Sequence, residues 1–283
     1  MNSVLELDAV GHLFADGSAG LRDCSLALEP GLRHALLGAN GAGKTTLLQH
    51  LNGLLQPSAG TLRCDGAPLD YRRRGLAELR RRVGLVFQNP ERQLFSAQVD
   101  EDVSFGPLNL GLDTATVRAR VAAALAAVGL QGFDARAVHH LSFGQKKRVC
   151  IAGVLAMEPD VLLLDEPMAG LDAPMQHELA LLLERLAARG VTVLLSTHDV
   201  DFAYRWADRI HLMAAGSVIA SGPAQQVARN DKALRAAGQH APAALALHSL
   251  LAARGVLAHE PAPRSIDALL EALRIHQPQE ATL

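Results

Sequence analysis

Cysteine and aromatic residues are scarce in this chain of 283 residues. There are three cysteines, and aromatic side chains make up 4% of the total. Cys24, Cys64 and Cys150 are widely spaced and odd in number, which excludes a disulfide framework and a zinc-binding pattern. We therefore expect them to behave as small buried hydrophobic residues in a reducing compartment.

The chain also lacks an excess of positive charge and a long apolar run. Its formal net charge is −2, whereas a general nucleic-acid binder is expected to be basic, so we predict no nucleic-acid partner. Arginine clusters at Arg72–Arg74 and Arg80–Arg82 have no aromatic residue between them for stacking on bases, which favours a solvated helix surface. No apolar stretch approaches the roughly 20 residues that span a bilayer. The N-terminal segment has an acid, Glu6, where a signal peptide would have a base, so we expect no targeting segment.

What the chain does contain is a glycine-rich loop with the G-x-x-x-x-G-K-[ST] spacing of a phosphate-binding loop. Glycines let the backbone turn tightly and bring its N–H groups up to phosphate oxygens, and the following helix directs its positive end at the same anion. Lys44 can reach the terminal phosphates, and the hydroxyl of Thr45 can bind magnesium. A chance match in a glycine-rich turn is the alternative, but Arg33–Leu37 has the pattern of the strand that should precede such a loop. The predicted nucleotide-binding residues are Gly38, Ala39, Asn40, Gly41, Ala42, Gly43, Lys44, Thr45 and Thr46.

Apolar segments with strand and helix patterns alternate after this loop, which predicts an α/β domain. Val161–Leu164 is apolar at every position, as is typical of a strand covered on both faces of a parallel sheet. The first 30 residues predict an antiparallel strand pair, and the stretch from about 95 to 155 predicts an inserted helical subdomain. We assign residues 1–228 to this domain and 229–283 to a small helical extension with no chemistry of its own. The extension is predicted to contain helices at Ala243–Ala253 and at Ile266–Arg274, with Ser265 as the N-cap of the second.

Two acids, Asp165 and Glu166, end the apolar strand Val161–Leu164. Asp165 could organise a hydrated magnesium held by Thr45, and Glu166 could orient and polarise a water for in-line attack on a γ-phosphate. Two acids before Pro167 could instead simply begin a turn. The phosphate-binding loop upstream favours the functional interpretation.

The segment Leu141–Arg148, L-S-F-G-Q-K-K-R, lies just upstream of this acidic strand and resembles the LSGGQ signature of ATP-binding-cassette (ABC) ATPases. Other parts of that family's pattern occur in the same order over residues 1–225. The resemblance implies a RecA-like core with an antiparallel β subdomain and an inserted helical subdomain. It also implies ATP and Mg²⁺ as cofactors, and a head-to-tail dimer that sandwiches ATP. The residues that match are Phe14 (adenine stacking), Gln88 (Q-loop, also a magnesium ligand), Ser142, Gly144 and Gln145 (signature), Asp172 after Gly170-Leu171 (D-loop) and His198 (γ-phosphate and Glu166). Taken alone, Phe14 could be a core aromatic and His198 a histidine satisfied at a strand end.

Two positions depart from the family's pattern: Phe143 replaces a signature glycine, and Met168 replaces a common threonine. Ser142 and Gln145, three residues apart, form a capping-box pattern that does not need a glycine at position 143. The first helical residue has a negative φ, so a side chain is sterically allowed there. We therefore predict that Phe143 leaves activity intact.

The stretch Asn89–Phe95, directly after Gln88, and the stretch Glu101–Pro107 are similar to the ATPases of energy-coupling-factor importers. That resemblance implies docking near Gln88–Phe95 onto a transmembrane scaffold subunit, with a separate substrate-binding subunit, at the cytoplasmic face of the membrane. The sequences of Gly106–Leu112 and Lys146–Met157 are most similar to those of the cobalt or nickel members of that family. A cobalt importer is our first hypothesis; a nickel or vitamin importer, a non-transport ABC ATPase, and a P-loop kinase or GTPase are the alternatives.

Overall fold

The computed structural model describes residues 3–276 and contains two β-sheets surrounded by helices. In chain order the strands are β1 (Leu5–Leu13), β2 (Ala19–Leu28), β3 (Arg33–Leu37), β4 (Ala59–Cys64), β5 (Ala67–Pro68), β6 (Val83–Val86), β7 (Val161–Leu164), β8 (Thr192–Thr197), β9 (Arg209–Ala214) and β10 (Ser217–Pro223). The helices are α1 (Lys44–Leu51), α2 (Arg73–Arg82), α3 (Val99–Asn109), α4 (Thr114–Ala127), α5 (Phe143–Leu155), α6 (Ala173–Ala188), α7 (Val200–Trp206), α8 (Ala224–Val227), α9 (Asp231–Ala236), α10 (Ala243–Ala253) and α11 (Ile266–His276).

The larger sheet has the strand order β10-β9-β3-β8-β7-β6, with all neighbours parallel except β9 and β10. Every residue of β7 is buried, because alternate side chains enter two different cores. Leu162 and Leu164 pack with the helical insertion, while Val161 and Leu163 pack toward the small sheet and α1. The prediction of a strand covered on both faces is confirmed.

The smaller sheet has the order β2-β1-β4-β5 and is antiparallel throughout. Its inward side chains, among them Leu5, Leu7, Leu26 and Leu62, bury one face against the larger sheet and α1. The predicted antiparallel pair at the start of the chain is therefore confirmed. So is the helical insertion, because α3, α4 and α5 all lie between the adjacent parallel strands β6 and β7.

Two helix boundaries differ from the sequence pattern. The sequence after the phosphate-binding loop predicts a helix to about Leu55, but α1 ends at Leu51, where the Asn52 side chain donates to the Val83 carbonyl at 2.6 Å and so ties the end of the helix to the start of β6. The helical pattern from Leu141 begins two residues later, at Phe143, because Ser142 has an extended backbone and caps α5. Polar contacts of single residues override apolar periodicity at both ends.

A chain of hydrogen bonds joins buried histidines beneath the phosphate-binding loop. His34 on β3 and His211 on β9 have their Nδ1 and Nε2 atoms 3.0 Å apart, and both side chains are buried. His34 Nε2 lies 3.1 Å from the Glu29 carbonyl oxygen, and His211 Nδ1 contacts the Ser221 hydroxyl. Because the Glu29 carbonyl can only accept, His34 Nε2 donates to it, His211 Nε2 donates to His34 Nδ1, and the Ser221 hydroxyl donates to His211 Nδ1. In this arrangement both imidazole rings are neutral and each of the three contacts has one donor and one acceptor. Burial lowers the pKa of both histidines.

The segment after β10 packs onto the rest of the chain. Tyr204, Ala228, Leu245 and Ala262 form a small core of their own, and Arg264 donates to the Tyr204 carbonyl. The predicted helices at 243–253 and 266–274 are both present, with Ser265 capping the second, whereas residues 277–283 of the assigned extension lie outside the described residues. The division at residue 228 stays a prediction. Among residues 3–276 we find no helix with the length and apolar character that crossing a bilayer requires.

Candidate functional site

The phosphate-binding loop runs from the carboxyl end of β3 to the first turn of α1. Gly43 has φ +104°, and a Cβ built there would lie 2.7 Å from the Gly20 carbonyl oxygen, so both its conformation and its surroundings require glycine. Lys44 Nζ donates to the Gly38 carbonyl at 2.7 Å and to the Ala39 carbonyl at 3.2 Å. The lysine side chain thus bridges back across the loop, with its ammonium in the concavity that a phosphate would fill.

Asp165 and its neighbours link the ends of β7 and β8 and the first turn of α1 into one polar network. The Thr45 hydroxyl donates to Asp165 Oδ2 at 2.7 Å, and the Ser196 hydroxyl donates to Asp165 Oδ1 at 2.6 Å. Ser196 Oγ in turn accepts the backbone N–H of Glu166 at 2.9 Å. The carboxyl ends of parallel β7 and β8 meet here, and these bonds fix both acids relative to the loop.

Glu166 is held in an unusual conformation between two cationic or titratable groups. Its φ is +45°, in the left-handed region that is costly for a residue with a side chain. Its Oε2 lies 3.0 Å from His198 Nδ1, and its Oε1 lies 3.6 Å from Lys44 Nζ. The carboxylate is 10% exposed while the histidine side chain is 67% exposed, so Glu166 is reached from the solvent past His198.

These groups line an open cleft of about 580 Å³. It brings together most of the residues that the sequence predicted: Phe14, Asn40, Gly41, Gly43, Lys44, Thr45, Thr46, Gln88, Asp165, Glu166 and His198. Phe14 lies at its rim, close to Gly20, where any side chain would collide with the aromatic ring. Gly38, Ala39 and Ala42 shape the loop without lining the cleft: the Ala39 N–H donates to the Ala237 carbonyl at 3.0 Å, and the Ala42 carbonyl accepts from Gly216.

The predicted signature residues lie elsewhere. Ser142 and Gln145 form the expected reciprocal capping box at the start of α5, with bonds of 3.3 and 3.0 Å. Phe143 is the first helical residue, as predicted, and is not among the residues with positive φ. None of Ser142, Gly144 and Gln145 lines the cleft of the same chain.

Asp172 also lies outside the cleft. It caps α6 by accepting the Met175 N–H at 2.9 Å, after a turn at Gly170. Phe143 lies against this turn, because a Cβ built on Gly170 would be 2.7 Å from its ring. The signature region and the D-loop region of one chain are therefore in direct contact.

Two residues that matter to this geometry were not assigned from the sequence. Ser196 connects Asp165 with the backbone of Glu166; its signal is a hydroxyl at the end of the apolar run Val193–Leu195. Lys147 is a buried lysine on α5, and its signal is its place in an apolar helical stripe with Cys150 and Ile151. Neither signal alone specifies the partner.

Comparison with known proteins identifies the family. A statistical profile described as ABC transporter matches residues 21–169. The cobalt import ATP-binding protein CbiO of Rhodobacter capsulatus is 47% identical over 270 residues, which cover 95% of this chain and 96% of that protein. The energy-coupling factor transporter ATP-binding protein EcfA of Methanothermobacter thermautotrophicus is 44% identical over 239 residues, covering 84% and 77%. The solved structure of cbiO1 from Clostridium perfringens, part of the cbiONQ ABC transporter complex, is 42% identical with a TM-score of 0.74, covering 83% and 94%.

The chain belongs to the ABC transporter family, and it is an ATPase whose ATP hydrolysis is coupled to transport. Within the family it is similar to a protein named as an energy-coupling factor transporter ATP-binding protein and to one named as a cobalt import ATP-binding protein. The predicted α/β fold, with its RecA-like core, antiparallel β subdomain and helical insertion, is confirmed.

Proposed function

We propose that this chain is the ATP-hydrolysing, energy-coupling subunit of an importer for cobalt ions. The single observation that carries the enzymatic part is the Thr45–Asp165–Ser196–Glu166–His198 network around the phosphate-binding loop. The choice of cobalt is supported by the relative from Rhodobacter capsulatus that is named for cobalt import. The proposed location is the cytoplasmic face of the membrane, where the chain is held by membrane subunits.

The proposed roles follow from the geometry of the cleft. Phe14 stacks on adenine, the backbone of Asn40–Thr46 binds the phosphates, and Lys44 moves from the Gly38 carbonyl to the terminal phosphate oxygens. Glu166 accepts a proton from the attacking water, and His198 holds the carboxylate and contacts the γ-phosphate. The buried, hydrogen-bonded position of Glu166 keeps its carboxylate in one orientation before substrate arrives.

The cleft also suits a magnesium ion. Thr45 offers a hydroxyl oxygen, Asp165 a carboxylate and Gln88 an amide oxygen, and oxygen donors of this kind are the ligands that Mg²⁺ prefers. When bound, the ion would neutralise charge on the β- and γ-phosphates.

A second copy of the chain would complete the site. The cleft has no contribution from Ser142, Gly144 or Gln145, although the capped start of α5 presents a helix N-terminus of the kind that binds phosphate. A head-to-tail dimer would place this terminus, and Asp172, on the ATP of the partner. ATP-driven closure of that dimer is the proposed source of the motion passed to the membrane subunits.

Docking onto the membrane scaffold is proposed at Gln88–Phe95 and an adjoining apolar patch of Phe95, Phe105 and Leu108. These three side chains are 64%, 50% and 56% exposed, and the two rings meet edge to face with centroids 4.7 Å apart. An exposed aromatic cluster at the rim of the insertion is suited to receive an apolar helix of a partner. We expect changes at Arg92 or Leu94 to abolish transport while ATP binding is kept; loss of both together would contradict this docking site.

The test of the cargo is uptake of radioactive cobalt and nickel by cells that express this chain together with its membrane subunits. Cobalt uptake that disappears with Glu166→Gln supports the proposal. Uptake of nickel alone, or of neither metal by a complex that hydrolyses ATP, contradicts the choice of cobalt and favours a nickel or a vitamin importer respectively.

A further inference from the structure

Lys147 is the most buried charged side chain of the described part of the chain, and no role proposed above uses it. It is 1% exposed, and its Nζ has no carboxylate oxygen within ion-pair distance among residues 3–276. Burial lowers its pKa to about 8. Because a lysine is seldom fully buried without a charged partner, we expect Lys147 to have a specific structural role.

The two hydrogen-bond partners of Lys147 are both backbone carbonyls of the loop after β7. Nζ donates to the Glu166 carbonyl at 3.0 Å and to the Ala169 carbonyl at 2.8 Å. A third contact is the ring of Phe143, whose centroid is 5.7 Å from Nζ. The ammonium therefore ties the first turns of α5 to the peptide group of the proposed catalytic base.

Glu166 needs such support because its backbone is strained. A φ of +45° is unfavourable for a residue that carries a side chain, so surrounding contacts must hold Glu166 in this conformation. Ser196 accepts its N–H at 2.9 Å on one side, and Lys147 donates to its carbonyl on the other. With both ends of the residue fixed, the side chain can point at His198 and Lys44.

We propose that Lys147 is a positioning residue that holds Glu166 in its left-handed conformation and couples it to the signature end of α5. The coupling of Glu166 to α5 rests on the proposed dimer, in which Glu166 serves the ATP of its own chain and Ser142 serves the ATP of the partner. A shift of α5 on binding the partner's nucleotide would reach Glu166 through one side chain.

The test compares two substitutions at position 147. Lys147→Met has nearly the same length but leaves both carbonyls without a donor, while Lys147→Gln keeps two N–H donors on one nitrogen. In the purified full chain with MgATP we expect Lys147→Met to lower kcat at least tenfold with the Kd for ATP within threefold. Lys147→Gln should keep kcat within threefold of the unaltered chain. The exposed Lys232→Met is the control for replacing a lysine by methionine.

A double-mutant cycle separates positioning from general damage. If Lys147 acts through Glu166, Lys147→Met should cause less than a twofold further loss of turnover in a Glu166→Gln background. Additive losses, or equal defects of Lys147→Met and Lys147→Gln, would overturn the inference. Should Lys147→Met fail to fold, Lys147→Gln decides: a tenfold loss of kcat in a folded chain overturns it and retained turnover supports it.

The proposed dimer is tested separately by the dependence of turnover on protein concentration. If the unaltered chain hydrolyses ATP with a rate proportional to its concentration even where size-exclusion chromatography in MgATP shows only monomers, the dimer fails while the positioning of Glu166 can still hold. If the rate rises more steeply but Lys147→Met is fully active, the positioning role fails and the dimer stands.

Discussion

The cleft and the start of α5 carry the two halves of the proposed nucleotide chemistry, and they differ in how far one chain completes them. In the cleft, the side chains of Thr45, Asp165 and Ser196 and the backbone N–H of Glu166 are joined by hydrogen bonds of 2.6 to 2.9 Å. At the start of α5, Ser142 is exposed, and among residues 3–276 its hydroxyl bonds to the Gln145 N–H of its own turn alone.

This difference shows which parts of the reaction one chain prepares in advance. The groups proposed to handle the attacking water are hydrogen-bonded to one another within a single chain, and Glu166 among them is buried, which is the arrangement that makes electrostatic stabilisation effective. The helix terminus proposed to meet a γ-phosphate is fully formed but does not line the cleft of its own chain. In the proposed dimer, the base and the anion site of one chain would therefore act on two different ATP molecules.

The largest expected effect comes from removing the base. Glu166→Gln should lower ATP turnover by about 10²- to 10³-fold, since the amide cannot accept the proton of the attacking water. ATP binding should persist, so the variant should accumulate as a dimer in MgATP. Phosphate release and size-exclusion chromatography measure the two effects.

His177→Asn, at an exposed position on α6, is the matched control and should behave as the unaltered chain in both assays. A Glu166→Gln chain that stays monomeric at saturating ATP would remove the basis for assigning the α5 terminus to a second copy.

The next largest effect is a loss of ATP affinity caused by a substitution within the cleft. Lys44→Ala removes an ammonium that makes charge-assisted hydrogen bonds worth about 1.5–3 kcal/mol, so ATP affinity should fall by roughly 10- to 100-fold. Titration with a fluorescent ATP analogue measures this. Unchanged affinity with lost turnover would mean that the lysine acts at the transition state alone.

A smaller effect is expected at the start of α5. Phe143→Gly should change ATP turnover less than tenfold, because the Ser142–Gln145 capping box fixes the helix end without the aromatic ring. Steady-state turnover of the purified chain is the measurement. A rise in ATP turnover of tenfold or more would show that Phe143 obstructs the site. The start of α5 would then differ from the cleft in not being arranged for catalysis.

The smallest effect concerns the strand under the cleft. His34 and His211 have lowered pKa values when folded, so the unfolded chain, with histidines near pKa 6.5, binds more protons. The stability that the pair contributes is present above about pH 6.5 and is lost as the pH falls below it, by up to about 1.4 kcal/mol per histidine at pH 5.5.

Urea unfolding at pH 7.5 and 5.5 measures this acid sensitivity. A His34→Leu, His211→Leu double variant should show a weaker dependence on pH than the unaltered chain, whatever its absolute stability. An identical dependence in both would assign the acid sensitivity to other groups.

Local sequence patterns predicted most of the fold and much of the cleft. The run Val161–Leu164 predicted a doubly covered strand, and the spacing of Gly38–Thr45 predicted the loop that lines the cleft. These predictions succeed because periodicity and glycine spacing report on the backbone of the same segment. Helix ends were less accurate, since the Asn52–Val83 bond joins residues 31 positions apart.

The parts that the sequence did not predict are contacts between distant segments. Ser196 with Asp165, and Lys147 with Glu166, connect residues 31 and 19 positions apart. A hydroxyl at a strand end or a lysine in an apolar stripe shows that something is bonded there, but only the folded topology brings its partner within reach. The assignment of Phe14, Gln88, Asp172 and His198 depended on a family resemblance for the same reason.

The hydrogen bond from the Ala39 N–H to the Ala237 carbonyl limits how far the chain can be shortened for experiments. A fragment that stops at residue 228, where the sequence suggests the catalytic unit ends, would strip a buried partner from the first turn of the phosphate-binding loop. Shortened versions are therefore poor substitutes for measuring nucleotide affinity. An expression boundary after α11 keeps the loop in its native surroundings.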